Sequence, residues 1–216
     1  LDQMQLVVVA SGVSISSEFN DGNSQAALGQ PLGTEGGDAG DWNAVPSVYF
    51  AMPIGEDLAF GFGFNVPFGL KLQYTDDWIG RFQAINSEIQ TYNFNPALSW
   101  ELNDVVTIGI GANYQRIQAE LTNAVNYTAI IGQVLDGLVG PGELPPSLAQ
   151  AVLQANAGLE GDTRVRGDDS TWGFNVGALF QLTPDTRLGL SYRSTADYEV
   201  ELSDEPAPAF KPSRSA

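Results

Sequence analysis

The stretch FGFGFNVPFGLKLQY, from Phe60 to Tyr74, alternates between apolar residues at every even position and small or polar residues at every odd position. This period-two alternation predicts a β-strand with one apolar face. Asn65, Pro67 and Gly69 nevertheless lie in its middle, where a proline removes a donor from the ladder and a glycine weakens pairing. The sequence therefore predicts a long strand that carries its own interruption.

Further strands are predicted by similar patterns at residues 6–16, 47–54, 91–102, 105–114, 171–182 and 187–202. We expect the even positions of 60–74, 172–182 and 188–192 to share an outward, apolar face. A soluble β-sandwich also alternates. The polar face here, however, is rich in glycine and carries charges of both signs, as the wet lumen of a barrel would.

The connections between the predicted strands alternate in length. Short ones at 55–57, 103–104 and 183–186 are interleaved with longer ones at 20–43, 75–80 and 123–170. Short and long connections then lie at opposite ends of one all-β, antiparallel, up-and-down sheet, which is typical of an outer-membrane β-barrel. Aromatic residues near the strand ends fit the interfacial girdles of such a barrel: Trp42, Tyr74, Trp78, Trp100, Trp172 and Tyr192.

The composition narrows the function classes. The 216 residues include 26 Asp and Glu against nine Lys and Arg, and the net charge of −17 disfavours binding to nucleic acid. Cysteine and histidine are absent, which removes thiol catalysis, Ser-His triads, and thiolate and imidazole metal sites. We therefore expect a protein that is not an enzyme and that needs no cofactor or metal.

The longest connection contains two apolar patterns at helical spacing, near 128–139 and 147–157, with Ser147 as N-cap and Gly158 at the end of the second. Their apolar stripes must pack on each other, on the barrel rim or on an apolar ligand. For the last case the candidate ligand-binding residues are Ile131, Leu135, Leu138, Leu148 and Val152.

The segments FGFGFNVPFGLKLQYTDDWIGRFQA, NFNPALSWELND and STWGFNVGALFQLTPDTRLGLSYRS, in this order and spacing, resemble the FadL-type family of outer-membrane transporters for long-chain fatty acids and related hydrocarbons. The similarity runs from about Val45 to Leu202. It implies a barrel of about 14 strands in the outer membrane of a Gram-negative bacterium, plugged by an N-terminal hatch and surrounded by outer-membrane lipid. It also implies helical extracellular loops that capture the ligand in a hydrophobic groove, in a protein that acts as a monomer.

In this family the third strand bends inward and opens a lateral gap in the wall. The resemblance therefore makes Asn65, Pro67, Phe68 and Gly69 the candidate lateral gate. The alternative is a β-bulge that only adjusts curvature.

The chain departs from the family at both ends. The hatch expected before the first strand is missing, and about half of the barrel would have to follow Leu202. We therefore expect residues 1–202 to form part of a barrel with a helical loop at about 123–170, and residues 203–216 to begin a further loop or a truncated tail.

A fatty-acid carboxylate calls for a cation. Arg116 lies about where the family places such a residue, although the alignment there can slip by two residues to Gln118. Parity also puts Arg116 on the outward register unless a bulge intervenes near Gln115. Lys71, Arg187 and Arg193 lie at odd positions, which the alternation assigns to the lumen-facing side. A solvated lumen or rim charge is the alternative for each of the four.

The function that the resemblance implies is passive uptake of long-chain fatty acids or similar hydrophobic compounds. A structural or adhesive barrel whose helical loop binds a partner, and a general porin, remain as alternatives. An outer-membrane lipase is disfavoured because the chain has no histidine.

Overall fold

The computed structural model describes residues 3–205 and 211–212. Within these residues the chain forms ten strands and two helices: β1 (Gln5–Ser14), β2 (Trp42–Pro53), β3 (Leu58–Asn65), β4 (Gly69–Gln73), β5 (Asn86–Asn103), β6 (Val106–Asn126), α1 (Tyr127–Val139), α2 (Pro146–Ala155), β7 (Leu159–Thr183), β8 (Thr186–Arg193), β9 (Ser203–Glu205) and β10 (Lys211–Pro212).

The strands form one antiparallel sheet in which neighbours in sequence are neighbours in space. The order is β1-β2-β3-β5-β6-β7, with β4 also paired to β5 and with β8, β9 and β10 paired to β7. Because β3 and β4 follow one another along β5, and β8 to β10 follow one another along β7, the chain crosses the sheet seven times. The predicted all-β, up-and-down architecture is confirmed.

Short connections lie at one end of the sheet, at 54–57, 104–105 and 184–185, and the long ones lie at the other, at 15–41, 74–85 and 127–158. The helical insertion is shorter than the predicted 123–170, because β6 and β7 stay paired from Val106↔Phe180 to Asn126↔Glu160. The loop-side parts of β6 and β7 lack apolar alternation because several of their outward positions are charged: Arg116, Glu120, Arg164, Arg166 and Asp168.

The two faces of the curled sheet differ in character. Even-numbered residues of β7 and β8 lie on the convex face, as predicted, and Trp172 there is 69% exposed. On the concave face Asn93 and Asn113 are buried. The convex apolar run from Trp172 to Leu182 covers about 25 Å of membrane height, given a rise of about 3.3 Å per residue and a tilt of about 40°.

A row of aromatic rings ends the apolar band on the convex face. Phe64, Phe94, Tyr114 and Trp172 lie opposite one another in register on four adjacent strands, with ring centroids 5.1, 6.3 and 5.1 Å apart. Beyond this row the convex residues form ion pairs, such as Arg166 Nε with a Glu120 carboxylate oxygen at 2.7 Å. The row therefore lies where an interfacial girdle is expected.

Two of the aromatics predicted for the girdles lie elsewhere. The rings of Tyr74 and Trp78 stack at 3.9 Å in the connection between β4 and β5, and Trp78 is buried. They belong to a small cluster, which we call the loop cap, with Phe19, Phe82, Ile85 and Ala124. Their assignment to a girdle was wrong because aromatic residues near strand ends occur both in girdles and in buried clusters.

A buried ion pair fastens the loop cap to β7. Arg81 is 2% exposed, and its Nη2 lies 2.7 Å from Glu160 Oε1. Its guanidinium also donates to the backbone carbonyls of Pro31, Leu32 and Trp78 at 2.9–3.2 Å. Two long connections and β7 are thus joined through one side chain.

Both predicted helices form, and their boundaries differ from the predicted ones by one or two residues. The Asn126 side chain accepts from the Ala129 N–H at 2.9 Å and caps α1. The prediction of Ser147 as N-cap was wrong, because α2 begins at Pro146 after Pro145 and has no side-chain cap. Proline suits the first helical position since its missing N–H would have no partner there. Neither described helix has the length and apolarity needed to cross a membrane.

The predicted strand 187–202 is only partly correct. β8 ends at Arg193, and residues 194–202 cross over the concave face before β9 returns to β7. Tyr198 Oη lies 3.0 Å from Gln115 Oε1, and the Glu199 N–H donates to an Asp169 carboxylate at 2.7 Å. Of the predicted tail at 203–216, only 203–205 and 211–212 lie among the described residues.

Candidate functional site: an interrupted strand beside a polar concave face

The predicted interruption of the third strand is a register shift of one residue. Asn65 pairs with Asn93 of β5, whereas Gly69 pairs with Gln90, so three residues stand opposite two. The Thr91 N–H donates to the Phe68 carbonyl at 2.9 Å, and the Phe68 N–H donates to the Thr91 hydroxyl at 2.9 Å. On the β5 side, the interruption therefore has the residue count of a β-bulge, with Val66 and Pro67 opposite Tyr92.

This extra residue reverses the faces of the strand. Lys71 of β4 lies opposite Glu88, on the convex side, and its Nζ is 3.4 Å from a Glu88 carboxylate oxygen. The predicted lumen parity of Lys71 was therefore wrong, as was the expectation that Leu70 and Leu72 continue the outward face of Phe60–Phe64. Leu70 and Leu72 occupy the concave register instead.

On its other side the interruption separates two strands. β2 pairs with β1 over residues 42–51 but with β3 only from Ser47↔Asn65 to Pro53↔Ala59, so residues 42–46 have a partner strand on the β1 side alone among the described residues. In the described residues β4 pairs with β5 alone. Pro46 and Pro67 occur where a β2–β4 ladder would have to begin, and neither has an N–H to donate.

The unpaired stretch has defined borders. Residues 42–46 of β2 lie on one side and 69–72 of β4 on the other. At the long-loop end the Gln73 N–H donates to the Ala39 carbonyl at 2.9 Å, which ties β4 to the connection before β2. Phe68 lies within the interruption and is 54% exposed.

The concave face beside the interruption carries a network of amides. Asn93 Nδ2 donates to Asn65 Oδ1 at 2.8 Å, and Asn95 Nδ2 donates to Asn113 Oδ1 at 2.7 Å. Toward the short-turn end the same face holds a trough of about 620 Å³, and eight of its sixteen lining residues are small: Ala51, Ala59, Gly61, Ala97, Ser99, Gly109, Gly177 and Ser191. The amide network and the trough therefore lie next to each other on the concave face.

The structure separates the remaining basic candidates. Arg116 lies on the convex face, 47% exposed, with Nη2 3.0 Å from Asp168 Oδ2, and no register shift near Gln115 turns it inward. Arg187 and Arg193 lie on the concave register of β8. Arg187 Nε donates to Gln181 Oε1 at 2.6 Å near the short turn, and Arg193 Nη2 donates to Asn113 Oδ1 at 2.8 Å.

The helical residues predicted to bind a ligand fall into two groups. Ile131, Leu135 and Val152 are half-buried, whereas Leu138 and Leu148 are exposed. Ile130 and Val134, which the ligand prediction did not include, are also exposed and extend the apolar surface of α1.

Sequence reasoning missed the side chain that ties these helices to the first long connection. The Thr128 hydroxyl donates to the Asn156 carbonyl at 2.6 Å and accepts from the Leu159 N–H and from Gln30 Nε2 at 3.1 and 3.2 Å. Thr128 is fully buried. No motif or spacing singles out a threonine whose partners lie up to 98 residues away.

Comparison with known proteins gives consistent matches. A family model described as "Outer membrane protein transport protein (OMPP1/FadL/TodX)" matches residues 1–208. A long-chain fatty acid transport protein of Escherichia coli O6:H1 is 26% identical over 157 residues, covering 73% of this chain and 34% of that protein. Outer membrane protein P1 of Haemophilus influenzae is 27% identical over 184 residues, covering 80% of this chain and 39% of that protein. The chain spans about a third of the length of these curated relatives.

A solved structure shares the fold. The crystal structure of a Pseudomonas aeruginosa FadL homologue matches 94% of this chain and 47% of its own, with a TM-score of 0.68 and 22% sequence identity. At this identity the likeness shows the architecture alone.

Proposed function

Because the chain belongs to the OMPP1/FadL/TodX family of outer-membrane transport proteins, we propose that the protein carries long-chain fatty acids or similar hydrophobic compounds passively across the outer membrane. The family's description is that of a transport protein, in agreement with the expectation that the chain is not an enzyme. The family and its relatives place the protein in the outer membrane of a Gram-negative bacterium, as the sequence predicted.

The observation that carries the proposal is the unpaired stretch between β2 and β4. A membrane-spanning sheet normally leaves no backbone polar group unpaired toward lipid, since each such group costs several kcal/mol in hydrocarbon. A break is tolerable where a lumen or a passing ligand lies behind it. In this proposal Asn65, Pro67, Phe68 and Gly69 form a lateral gate through which ligand leaves the lumen for the membrane.

The route begins at the helical hairpin on the long-loop side. Apolar side chains of α1 and α2 supply a surface on which a hydrophobic compound is captured: Ile131, Leu135, Leu138, Leu148 and Val152. The ligand then passes along the concave face, where Leu70 and Leu72 supply apolar surface next to the gate. A single copy surrounded by outer-membrane lipid suffices for this route.

Arg116 has a narrower role in the proposal than the resemblance implied. Its convex position and its ion pair with Asp168 keep it from a ligand in the lumen. It could meet a fatty-acid carboxylate only from outside the barrel, above the aromatic row.

The proposal is tested by restoring the strand. Pro67→Val, combined with Gly69→Val, returns an N–H to the ladder and replaces two poor β-formers. Uptake of a long-chain fatty acid is measured in cells whose only such transporter is the variant, and binding is measured on purified protein. We expect slower uptake with unchanged binding.

Pro53→Val is the matched control, because Pro53 ends β2 beside the short turn, far from the interruption. It should leave uptake unchanged. Normal uptake by the double variant, with hydrogen exchange showing a continuous strand, would mean that the interruption is only a curvature bulge and that ligand leaves elsewhere.

A further inference from the structure

The seventh crossing of the sheet is interrupted, as the third one is. The β7–β8 ladder ends at Arg193, and pairing with β7 resumes only at Ser203 of β9. The nine residues between them, 194–202, stand opposite the eight residues 167–174 of β7. In the described part of the chain, no strand pairs with residues 167–174 on this side. β7 therefore has an unpaired stretch of its own.

Residues 194–202, which we call the strap, lie on the concave face instead of in the wall. The Tyr198 hydroxyl donates to Gln115 Oε1 at 3.0 Å, and the Glu199 N–H donates to an Asp169 carboxylate oxygen at 2.7 Å. Gln115 and Asp169 both have the concave register of their strands. The strap is thus displaced from the wall toward the lumen.

The two interruptions lie at the same height of the sheet. Thr91 of β5, Ile117 of β6 and Asp169 of β7 lie opposite one another in register. In the third crossing the Thr91 hydroxyl accepts from the Phe68 N–H, and in the seventh the Asp169 carboxylate accepts from the Glu199 N–H. In both places a side chain of the intact strand binds an N–H that a continuous ladder would pair with a backbone carbonyl.

The unpaired stretch of β7 adjoins the membrane. Trp172 belongs both to this stretch and to the aromatic row, and it is 69% exposed on the convex face. Backbone groups without partners are costly next to hydrocarbon, so a membrane-spanning wall normally pairs them. The break in pairing therefore lies where the lumen and the membrane interface are closest.

The sequence of the strap does not itself prevent strand pairing. Tyr198, Val200 and Leu202 are apolar at alternate positions, and no proline lies between residues 187 and 205. The third crossing, in contrast, contains Pro67, which has no N–H to donate. The inward position of the strap consequently depends on its contacts with the concave face, and loss of those contacts would let it pair with β7.

A glycine occurs in β7 where the strap approaches it closely. A Cβ on residue 167 would lie 2.6 Å from Val200 Cγ1 and 2.7 Å from the Glu201 carbonyl oxygen. A larger residue in place of Gly167 would push the strap away from the concave face. The wall is therefore compatible with the inward position of the strap.

We propose that the unpaired stretch of β7 is a second lateral exit, through which a hydrophobic compound leaves the lumen beside Trp172. The exit is open while the strap lies on the concave face, and it closes when the strap pairs with β7. This inference rests on the proposed function, because a second exit requires a protein that releases its ligand sideways. It goes beyond that function by placing two exits at one height of the wall.

The test measures uptake of radiolabelled oleate in cells whose only long-chain fatty acid transporter is the complete protein or a variant of it. Pro67→Val with Gly69→Val closes the lateral gate, and it should lower uptake without abolishing it, because the second exit remains. Deleting Thr195 as well leaves eight residues opposite eight. The strap should then pair with β7, its amide exchange should slow, and the remaining uptake should be lost.

Two further variants are made in the same gate-closed protein. Asp169→Val removes the acceptor that holds the Glu199 N–H, so it should act as the deletion does, and it decides the test if the deletion variant does not fold. Asp168→Val is the matched control, because the neighbouring Asp168 lies on the convex face and its carboxylate pairs with Arg116. It should leave the remaining uptake unchanged at an equal level of protein in the outer membrane.

The outcomes separate the two proposals. If cells with the wild type take up no more oleate than cells without it, the proposed function fails and the second exit fails with it. If the wild type carries oleate, the second exit alone is refuted by complete loss of uptake in the gate-closed protein, or by unchanged uptake after the strap has paired. Equal effects of Asp168→Val and Asp169→Val would also refute it. A strap that stays unpaired in both closing variants refutes the closing movement.

Discussion

Removing Glu160 tests how the long-loop end of the sheet is held together. Glu160 takes three guanidinium contacts from Arg81, at 2.7, 3.2 and 3.2 Å, and the arginine is 2% exposed. In Glu160→Ala the charge stays buried, with the carbonyls of Pro31, Leu32 and Trp78 as hydrogen-bond acceptors and the Phe82 ring 4.5 Å away. Breaking a buried pair in this way costs about 3–5 kcal/mol.

The lower end of that range applies here because Glu160 is partly exposed and three carbonyl contacts remain. About 3 kcal/mol corresponds to a roughly hundredfold shift toward local opening of the loop cap. The backbone bonds that would report it join the two connections: the Ile79 N–H donates to the Thr34 carbonyl at 2.7 Å, and the Thr34 N–H donates to the Asp77 carbonyl at 3.0 Å. Their amide exchange, measured by mass spectrometry, should accelerate about a hundredfold.

Glu120→Ala is the matched control. Glu120 also pairs with two arginines, Arg164 and Arg166, but both are nearly half exposed. Exposed pairs contribute about 0–1 kcal/mol, so exchange in the loop cap should not change. The reasoning is refuted if Glu160→Ala exchanges like the wild type, or if both variants accelerate alike.

Three other predictions concern the bulge, the two faces of the sheet and the first long connection. Deleting Val66 removes the extra residue of the bulge while leaving the β4–β5 register intact. We expect hydrogen exchange to show a continuous third strand and fatty-acid uptake to fall. Unaltered uptake would argue against a gate at this interruption. Val176→Lys places a charge on the convex apolar band and should lower the free energy of unfolding of the lipid-embedded protein by about 2–4 kcal/mol. Asn175→Lys on the concave face should lower it much less. Equal losses of unfolding free energy, measured by chemical unfolding from lipid vesicles, would contradict the assignment of faces. Hydrogen bonds from the Ser17 and Gly40 N–H groups to the Asp38 carboxylate lower the pKa of Asp38 and stabilise the first long connection. This stabilisation is complete above the ordinary aspartate pKa and is lost as pH falls through the lowered pKa. Proteolysis of that connection should increase only in that acid range, and Asp38→Asn should remove the pH dependence.

The sequence by itself determined the strands, the two ends of the sheet and most of its faces. Hydrocarbon selects each outward residue separately, so alternation in 172–182 and 188–192 can be recognised without knowing any contact. Connection lengths likewise depend only on the chain, and they distinguished the end with short turns from the end with long loops. The helical hairpin was predictable for the same reason, because helical spacing is local.

The tertiary structure decided what depends on partners far along the chain. Leu70 and Leu72 continue the alternation of Phe60–Phe64, but a one-residue shift against β5 moves them to the other face, and only the pairing of Gly69 with Gln90 reveals it. Whether Trp78 joins a girdle or a buried cluster depends on the loop cap that Arg81 and Glu160, 79 residues apart, hold together. The surroundings of Arg193 are likewise set by Asn113, 80 residues earlier, because strand pairing brings side chains together without leaving a local pattern in either strand.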